Sequence, residues 1–286
     1  MKDGNWLYTI SAKQKLISLN FKEIWRYRDL LLLFVKRDVV TLYKQTILGP
    51  LWYVIQPLFT SIIFTLIFNK LANIPTGEGV PPFLFNLAGI TSWNYFKECL
   101  MGTSDTFKKN QSIFGKVYFP RVIMPLSVVV SNLLKFGIQF LVFIGFYVFF
   151  VLVKDAQVVP NKSLIVLPIV ILVMALLGLG LGMIVSSMTT KYRDLTFLLQ
   201  FGIQLLMYGS AVMYPLSYFK TELPKYAWLV EYNPIAIVIE TFRNITLSTD
   251  VFYVDKFIYA VVFSILIFLL GLIIFNKTEK TFIDTV

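Results

Sequence analysis

The chain has 286 residues, of which 57% are hydrophobic and only 15% are charged, and its mean hydropathy is +0.73. Such a composition excludes a water-soluble globular protein, because most of the chain needs lipid rather than water as its solvent. The 26 Lys and Arg residues exceed the 16 Asp and Glu residues, which gives a net charge of +10. Membrane proteins often carry such an excess, because cytoplasmic loops collect cations, and we therefore expect no nucleic-acid partner.

Several kinds of chemistry are also excluded by residues and motifs that the sequence lacks. It has no histidine and a single cysteine, Cys99, which rules out His-based acid–base catalysis, an intrachain disulfide and a cysteine-built metal site within one copy. No GxxxxGK[ST] phosphate loop occurs, so ATP, if it drives the protein, must bind to another chain. We therefore expect no catalytic residue, cofactor or metal in this chain.

The N-terminal region is polar before any apolar run appears. Residues 1–20 mix charges and predict no cleavable signal peptide, so the first span acts as the targeting signal. Residues 21–46 interleave apolar side chains such as Trp25 and Phe34 with cations such as Arg37 at helical spacing. One apolar and one basic face predict a helix that lies in the membrane interface, with a solvated basic tail as the alternative.

Six apolar runs follow, each long enough to cross a hydrocarbon core of roughly 30 Å. They cover residues 51–71, 83–103, 122–153, 163–188, 195–212 and 257–275. The sequence therefore predicts an all-α integral membrane protein with six transmembrane helices. We interpret residues 1–286 as one multi-helix membrane domain, with a cytoplasmic tail and interface helix over 1–50, a membrane-spanning part over 51–276 and a cytoplasmic tail over 277–286.

Two segments between the runs are too polar to cross the membrane. Residues 105–121 form a basic stretch that is long enough for a short helix. Residues 214–255 are rich in aromatic residues and are interrupted by Pro215, Pro224 and Pro234. This pattern predicts short re-entrant helices that dip into the extracytoplasmic side between spans 5 and 6.

The distribution of cations indicates the orientation in the membrane. With the N-terminus inside, the inner segments hold 17 of the 26 Lys and Arg residues and the outer segments hold 7. Since Lys and Arg collect in cytoplasmic loops, both termini are predicted to face the cytoplasm. We therefore expect a multi-pass protein of the cytoplasmic (inner) membrane.

Two ionisable residues stand within the apolar runs. Glu98 lies roughly two turns from the cytoplasmic end of the second run, and Lys135 lies three to four turns from that of the third. At about 1.5 Å per residue, the flexible Lys135 can reach back toward Glu98. A structural ion pair between them and a proton or substrate relay are both compatible with this placement.

Aromatic and amide side chains share the first and fifth runs. Aromatic rings suit stacking on sugars and amides suit hydrogen bonds to sugar hydroxyls, although plain packing at the membrane boundary is the alternative. The candidate channel residues are Trp52, Tyr53, Gln56, Phe59, Gln200, Gln204, Tyr208 and Tyr214.

Four ordered motifs span nearly the whole chain. The first runs from Val35 to Trp52 and combines the Arg37-Asp38 pair, a YKxTxLG turn and a Trp that opens the first span, followed by Gln56-Pro57-Leu58. The others are Lys116 to Arg121 with Pro125-Leu126, then Lys191-Tyr192-Arg193-Asp194, then Met213-Tyr214-Pro215 running to Tyr232-Asn233-Pro234 and Phe242-Arg243. In order and spacing, these motifs resemble the polysaccharide-export permeases of the type-two ABC transporter family.

That resemblance implies a homodimer of six-span permeases bound to two copies of a cytoplasmic ABC ATPase, which binds ATP and Mg. The cargo of such an exporter is a polyprenyl-linked polysaccharide such as O antigen, capsule or teichoic acid. The family's interface helix corresponds to residues 21–46, its coupling helix to 105–121 and its outer gating helices to 214–242. The implied ATPase-coupling residues are Lys108, Lys109, Asn110, Lys116 and Arg121.

The predicted interface helix ends in a basic turn that suits an anionic lipid headgroup. Arg37, Tyr43 and Lys44 fall where this turn can meet the pyrophosphate of a polyprenyl-linked glycan, a dianion that Arg and Lys bind well. Binding of anionic phospholipid, or attraction to the ATPase, is the alternative role of the same charges.

Two other classes of function stay open beside the ABC permease. A membrane enzyme that acts on polyprenyl-linked glycans would need paired carboxylates or histidines near the interface, and the sequence does not supply them convincingly. An ion-coupled transporter would be active as an isolated chain.

Overall fold

The fold is that of a computed structural model, which describes residues 21–44, 48–77, 79–114, 117, 119–156, 158–192, 194–249 and 252–282. Helices make up 83% of it and the described residues contain no β-strand, so the prediction of an all-α protein is confirmed. The α-helices are α1 (Phe21–Arg26), α2 (Arg28–Lys44), α3 (Trp52–Phe64), α4 (Pro82–Ser104), α5 (Thr106–Phe114), α6 (Ile123–Val153), α7 (Leu167–Thr189), α8 (Leu195–Tyr208), α9 (Leu216–Glu222), α10 (Ala227–Glu231), α11 (Pro234–Leu247) and α12 (Val254–Phe282).

Four helical segments of the described chain are long and apolar enough to span a membrane, which confirms a multi-pass membrane protein. They are Gly49–Leu71, Ile123–Val153, Lys162–Thr189 and Val254–Glu279, of which the first comprises α3 with its flanking turns. The helix α8 is apolar but has 14 residues, about 21 Å of helix, whereas a hydrocarbon core is about 30 Å thick. The predicted count of six spans therefore stays a prediction for α4 and α8.

The helix α4 is the centre of the bundle, although it is the most polar of the long helices. Its 23 residues include Asn86, Asn94, Lys97 and Glu98, which make it less apolar than the four spanning segments. It packs against α3, α6, α7 and α11, and 16 of its residues are buried. Surrounding helices therefore shield most of its polar groups from lipid, as the hydrocarbon core requires.

Glycines on α7 bring this helix into backbone contact with two neighbours. The pair Gly178 and Gly182 faces α4, where a Cβ atom on Gly182 would come within 2.5 Å of the Thr103 Cβ. Between them, Gly180 faces the opposite side, where a Cβ would lie 2.8 Å from the Phe268 Cα of α12. The GxxxG pair in the sequence indicates close packing, and the structure shows that the middle glycine serves a second interface.

We expect Gly182→Leu to lower the stability of the protein, because its side chain would overlap Thr103 and separate α7 from α4. Overpacking of a filled interface costs about 1–3 kcal/mol. The measurement is the thermal unfolding midpoint of the detergent-purified protein. Gly145→Leu on α6 is the matched control, because no atom lies within 4 Å of its added Cβ. Equal midpoints for the two variants would contradict the close contact.

The structure corrects the predicted extent of the fifth span. The sequence predicts a helix over residues 195–212, but α8 ends at Tyr208, and Ala211 adopts a left-handed conformation with φ of 52°. The helix ends here because side chains from other segments donate hydrogen bonds to the backbone carbonyls that follow it. The amide of Asn233 donates to the Gly209 carbonyl at 2.9 Å, and Arg243 donates to the Ala211 carbonyl at 2.6 Å.

Arg243, on α11, is fully buried and holds three parts of the chain together. Its guanidinium donates to the backbone carbonyls of Ala211 and Val212 after α8, and to the Phe85 carbonyl of α4 at 3.3 Å. It lies 3.8 Å above the Phe85 ring and 3.4 Å from a Glu240 carboxylate oxygen. A buried cation is tolerated only when acceptors surround it in this way, so Arg243 fixes the turn between α8 and α9.

We expect Arg243→Lys to destabilise the protein although it keeps the positive charge. A lysine ammonium lacks the planar fork that reaches several carbonyls at once, and disruption of a buried charge network costs about 3–5 kcal/mol. The detergent-phase unfolding midpoint should fall well below that of Arg28→Lys, a matched control whose side chain is 55% exposed. A midpoint as high as that of the control would show that the fork is dispensable.

Candidate functional site

Three neighbouring cavities lie along one side of α4. The Arg37 cavity has a volume of about 530 Å³ and lies between α2, α4, α5 and α6. The Tyr53 cavity, of about 210 Å³, lies between α3, α4 and α6. The Gln200 cavity, of about 270 Å³, lies between α3, α4 and α8. Glu98, Asn132 and Lys135 line both the first and the second, and Gln56, Asn94 and Lys97 line both the second and the third. Shared walls make them one polar cavity system.

The predicted channel amides belong to this system. Gln56 of α3 meets Gln200 and Gln204 of α8 in the Gln200 cavity, although more than a hundred positions separate Gln56 from the other two in the sequence. Tyr53 lines the cavity named after it. Amides that face one cavity among apolar helices offer both donors and acceptors, which is the chemistry that hydroxyl-rich ligands need.

The other predicted aromatic residues do not line these cavities. Trp52 and Phe59 lie on the exposed side of α3, with 50% and 63% of their surface accessible, and Tyr208 is exposed on α8. Tyr214 is half-buried, donates its hydroxyl to the Tyr208 carbonyl at 2.6 Å and stacks on Phe219. Within this chain, therefore, Tyr214 has a structural contact, and the other three face outward.

Lys135 and Glu98 do not form an ion pair with each other, which was one of the two roles that their spacing allowed. Glu98 pairs with its neighbour Lys97 at 3.4 Å, whereas the Lys135 ammonium lies 5.5 Å from the centre of the Tyr53 ring. Helical spacing predicts the depth of a residue in the membrane but not the direction in which its side chain points, so the sequence left this pairing open. Both residues nevertheless line the same two cavities.

The basic residues of α2 stand at one border of the cavity system. Arg37 lines the Arg37 cavity, but its guanidinium donates two hydrogen bonds to Asp38, at 2.9 and 3.0 Å, and lies 5.0 Å from the centre of the Phe34 ring. Lys44 is exposed at the end of the helix. The side chain of Tyr43 lies outside the described part of the structure. The role of this turn in substrate binding stays a prediction.

The helix α5 occupies most of the predicted coupling segment and has two unlike faces. Lys108 and Lys109 are exposed, while Asn110 is buried and donates to the Thr106 carbonyl at 2.9 Å. Lys109 also pairs with Asp105 at 3.0 Å. The helix therefore presents cations outward while its other face packs on the membrane domain.

Arg121, a predicted ATPase-coupling residue, is buried in the chain and is not exposed on its surface. Its guanidinium donates to the Glu279 backbone carbonyl at 2.9 Å and lies 5.1 Å from the centre of the Phe114 ring, so it ties α5 to α12. Burial lowers the pKa of Arg121, and the Glu279 carboxylate opposes that shift. The remaining coupling candidate, Lys116, lies outside the described residues.

Several cavity residues escaped the sequence-based prediction. Asn94, Asn132 and Gln139 supply amides to the Tyr53 cavity, and Ser131 supplies a hydroxyl to the Arg37 cavity. A signal was present, since Ser131, Lys135 and Gln139 follow one another at intervals of four residues and so share one face of α6. Single polar residues in a long apolar run are easily overlooked unless they are read at helical spacing.

A carboxylate shared by two lysines joins α9 and α10 to the start of α12. One Glu231 oxygen accepts from the Lys256 ammonium at 2.5 Å and from the Lys220 ammonium at 2.9 Å. These bonds, first from Lys256 and then from Lys220, lower the pKa of Glu231 below its ordinary value of 4.5. The short helices are thus attached to α12 by charge as well as by packing.

The lowered pKa predicts how acid acts on this attachment. Ionised Glu231 stabilises the folded chain above about pH 4.5, and this contribution disappears as the pH falls through the lower folded-state value. Glu231→Gln should therefore lower the free energy of unfolding at pH 7, by about 1 kcal/mol or less per ion pair, and this difference should shrink as the pH falls below the ordinary value. Glu222→Gln, on an exposed neighbour, should show no such pH dependence. A gap that persists in acid would exclude this charge effect.

The fold and the cavities define the class of the protein. It is a multi-pass, all-α membrane protein whose polar cavities lie between its helices, as in a transport protein. The family model of ABC-2 type transporters matches residues 29–247, and the chain belongs to this family. It is thus the transmembrane subunit of an ABC transporter, a transport rather than a catalytic subunit, and its family implies a partnership with an ATPase subunit.

Curated relatives of the chain carry a more specific name. Two proteins of Klebsiella pneumoniae named O-antigen export system permease protein RfbA are each 28% identical to it, over 266 and 260 residues, with 90% of this chain and 94% of each relative covered. An RfbA protein of Myxococcus xanthus is 25% identical over 225 residues, with 78% of this chain and 82% of the relative covered. These similarities confirm the resemblance inferred from the four ordered motifs.

Proposed function

We propose that this chain is the permease of an exporter that moves a lipid-linked polysaccharide, such as O antigen, capsule or teichoic acid, across the cytoplasmic membrane. The names of its relatives support the cargo class. The observation that carries the proposal is the convergence of Gln56, Gln200 and Gln204 on one cavity between apolar helices. Amide groups there can replace the water that hydrates sugar hydroxyls during passage.

The active unit is a homodimer. Gln56, Gln200 and Gln204 are exposed in the single chain, and exposed apolar side chains surround them on α3 and α8. Amides cannot face lipid without a large desolvation penalty, so another surface must cover this side. A second copy would supply the same amides from the opposite direction and complete a polar passage between the two protomers.

ATP is hydrolysed by a separate subunit, of which two copies bind the dimer. The amphipathic helix α5 suits this contact with the ATPase. Lys108 and Lys109 are exposed on one face, while Phe107 and Phe114 on the other face are buried in the membrane domain. Closure of the ATPase pair would press on α5 and move the helices behind it as rigid bodies. Arg121 joins α5 to α12 and would help to transmit that motion.

Both termini face the cytoplasm, with six spans between them. The 23 residues of α4 are long enough to cross, and the surrounding helices cover its polar groups. The shorter α8 is continued by Ser210–Met213, which are buried, so the chain reaches further into the bundle than the helix itself does. An even number of spans returns the chain to its starting side.

Deletion of this chain from its native cell tests the proposal. We expect surface polysaccharide to disappear and lipid-linked polymer to accumulate inside, because its only export route is closed. The unmodified gene should restore export, whereas the charge reversals Lys108→Glu and Lys109→Glu together should not, because α5 would no longer retain the ATPase. The readouts are surface glycan staining and ATPase copurified with the permease.

The matched control is Lys154→Glu with Lys162→Glu, two charge reversals in the loop that joins α6 to α7. This loop lies on the predicted outer side, so export and ATPase retention should both be normal. Unchanged surface polysaccharide after deletion would refute the proposed cargo. Transport by the isolated permease would refute the proposal that a separate subunit hydrolyses ATP to drive export.

A further inference from the structure

Lys135 forms no ion pair with any carboxylate of the described residues, although Glu98 lines the same two cavities. Among the described residues that line the three cavities, the other cations are paired: Arg37 with Asp38, Lys97 with Glu98 and Lys109 with Asp105. The Lys135 ammonium lies 5.5 Å from the centre of the Tyr53 ring. The cavity system therefore has one excess positive charge, located on the middle of α6.

Ser131 adds a second unsatisfied group one turn away on the same helix. It is 3% exposed and lines the Arg37 cavity, yet its hydroxyl has no hydrogen-bond partner among the residues that the structure describes. Asn132 lines the same cavity, is 4% exposed and is hydrogen-bonded to Cys99, which leaves its amide further hydrogen-bonding capacity. Buried hydroxyls and membrane-embedded cations are ordinarily partnered, so their joint exposure to one cavity indicates a ligand that bears acceptor oxygens and negative charge.

The volume and position of the Arg37 cavity indicate which class of ligand it can bind. A volume of about 530 Å³ accommodates an anionic group with an attached sugar, within the usual range of small-molecule sites of about 300–1,000 Å³. Its border includes Arg37 and Thr41 of α2, the helix that is predicted to lie in the membrane interface. A ligand that arrives from there is a lipid, and the anion that membrane lipids carry at that depth is phosphate.

We infer that Lys135, Ser131 and Asn132 form a binding subsite for the phosphate-bearing headgroup of a lipid. Lys135 supplies the charge, the Ser131 hydroxyl and the Asn132 amide supply donors, and Arg37 guides the headgroup at the border while it stays bonded to Asp38. If the lipid is the cargo, the inference rests on the proposed function and places the anionic end of the substrate within one protomer. If it is a membrane phospholipid, the subsite is independent of that function.

The test is equilibrium binding to the purified permease–ATPase complex. The probes are a radiolabelled polyprenyl diphosphate and, separately, a radiolabelled phosphatidylglycerol. Lys135→Gln should weaken binding of at least one probe by about tenfold, in line with the loss of a charge-assisted bond. Lys135→Arg should restore most of it, and Lys154→Gln, on an exposed residue at the end of the same helix, should leave binding unchanged.

Ser131→Ala separates binding from folding. Because its hydroxyl has no partner in the described part of the chain, its removal should leave the unfolding midpoint unchanged or slightly higher, while binding of the same probe weakens about threefold. A merely structural serine would show the opposite result, with a lower midpoint and normal binding.

The outcomes distinguish the source of the lipid. Lys135-dependent binding of the diphosphate identifies the cargo, and Lys135-dependent binding of phosphatidylglycerol identifies a membrane lipid; both support the subsite. Normal binding of both probes by Lys135→Gln overturns it. Should deletion of the chain leave surface polysaccharide intact while Lys135-dependent binding persists, the proposed function fails and the subsite stands.

Discussion

The bundle depends on the requirement that polar groups do not meet hydrocarbon. The central helix α4 carries amides, hydroxyls and charges that lipid would not tolerate, and it can occupy the membrane domain only because other helices enclose it. Gly178 and Gly182 allow α7 to approach closely enough to seal one side. Arg243 satisfies the same requirement elsewhere, since backbone carbonyls and a carboxylate surround its charge.

The cavities follow from the same constraint. Where α7 covers α4, the two helices are in close contact; where α3, α6 and α8 face α4, space remains and polar side chains line that space. One side of α4 therefore packs tightly, and the other side borders the polar cavities. This arrangement also explains why the amides of α8 converge with Gln56 although α8 itself buries only Ile203.

The sequence predicted most of the helices because apolar runs of 20 or more residues have few alternatives in a membrane protein. It marked Gln56, Gln200 and Gln204 as candidates by their shared amide chemistry, and the structure brings these three residues to one cavity, while their role in a channel stays a prediction. The end of α8 could not be predicted, because it depends on Asn233 and Arg243, which are distant in the sequence. The pairing of Glu98 with Lys97 depends on side-chain direction, which spacing leaves undetermined.

The contact of Gly180 with α12 has a mechanical consequence. With Gly178 and Gly182 against α4 and Gly180 against α12, the backbones of three helices touch and leave no side-chain layer that can yield. Interiors packed this closely have low compressibility, so we expect α4, α7 and α12 to move together as one rigid body. A change in the volume of the Tyr53 and Gln200 cavities would then require α3, α6 or α8 to move relative to α4.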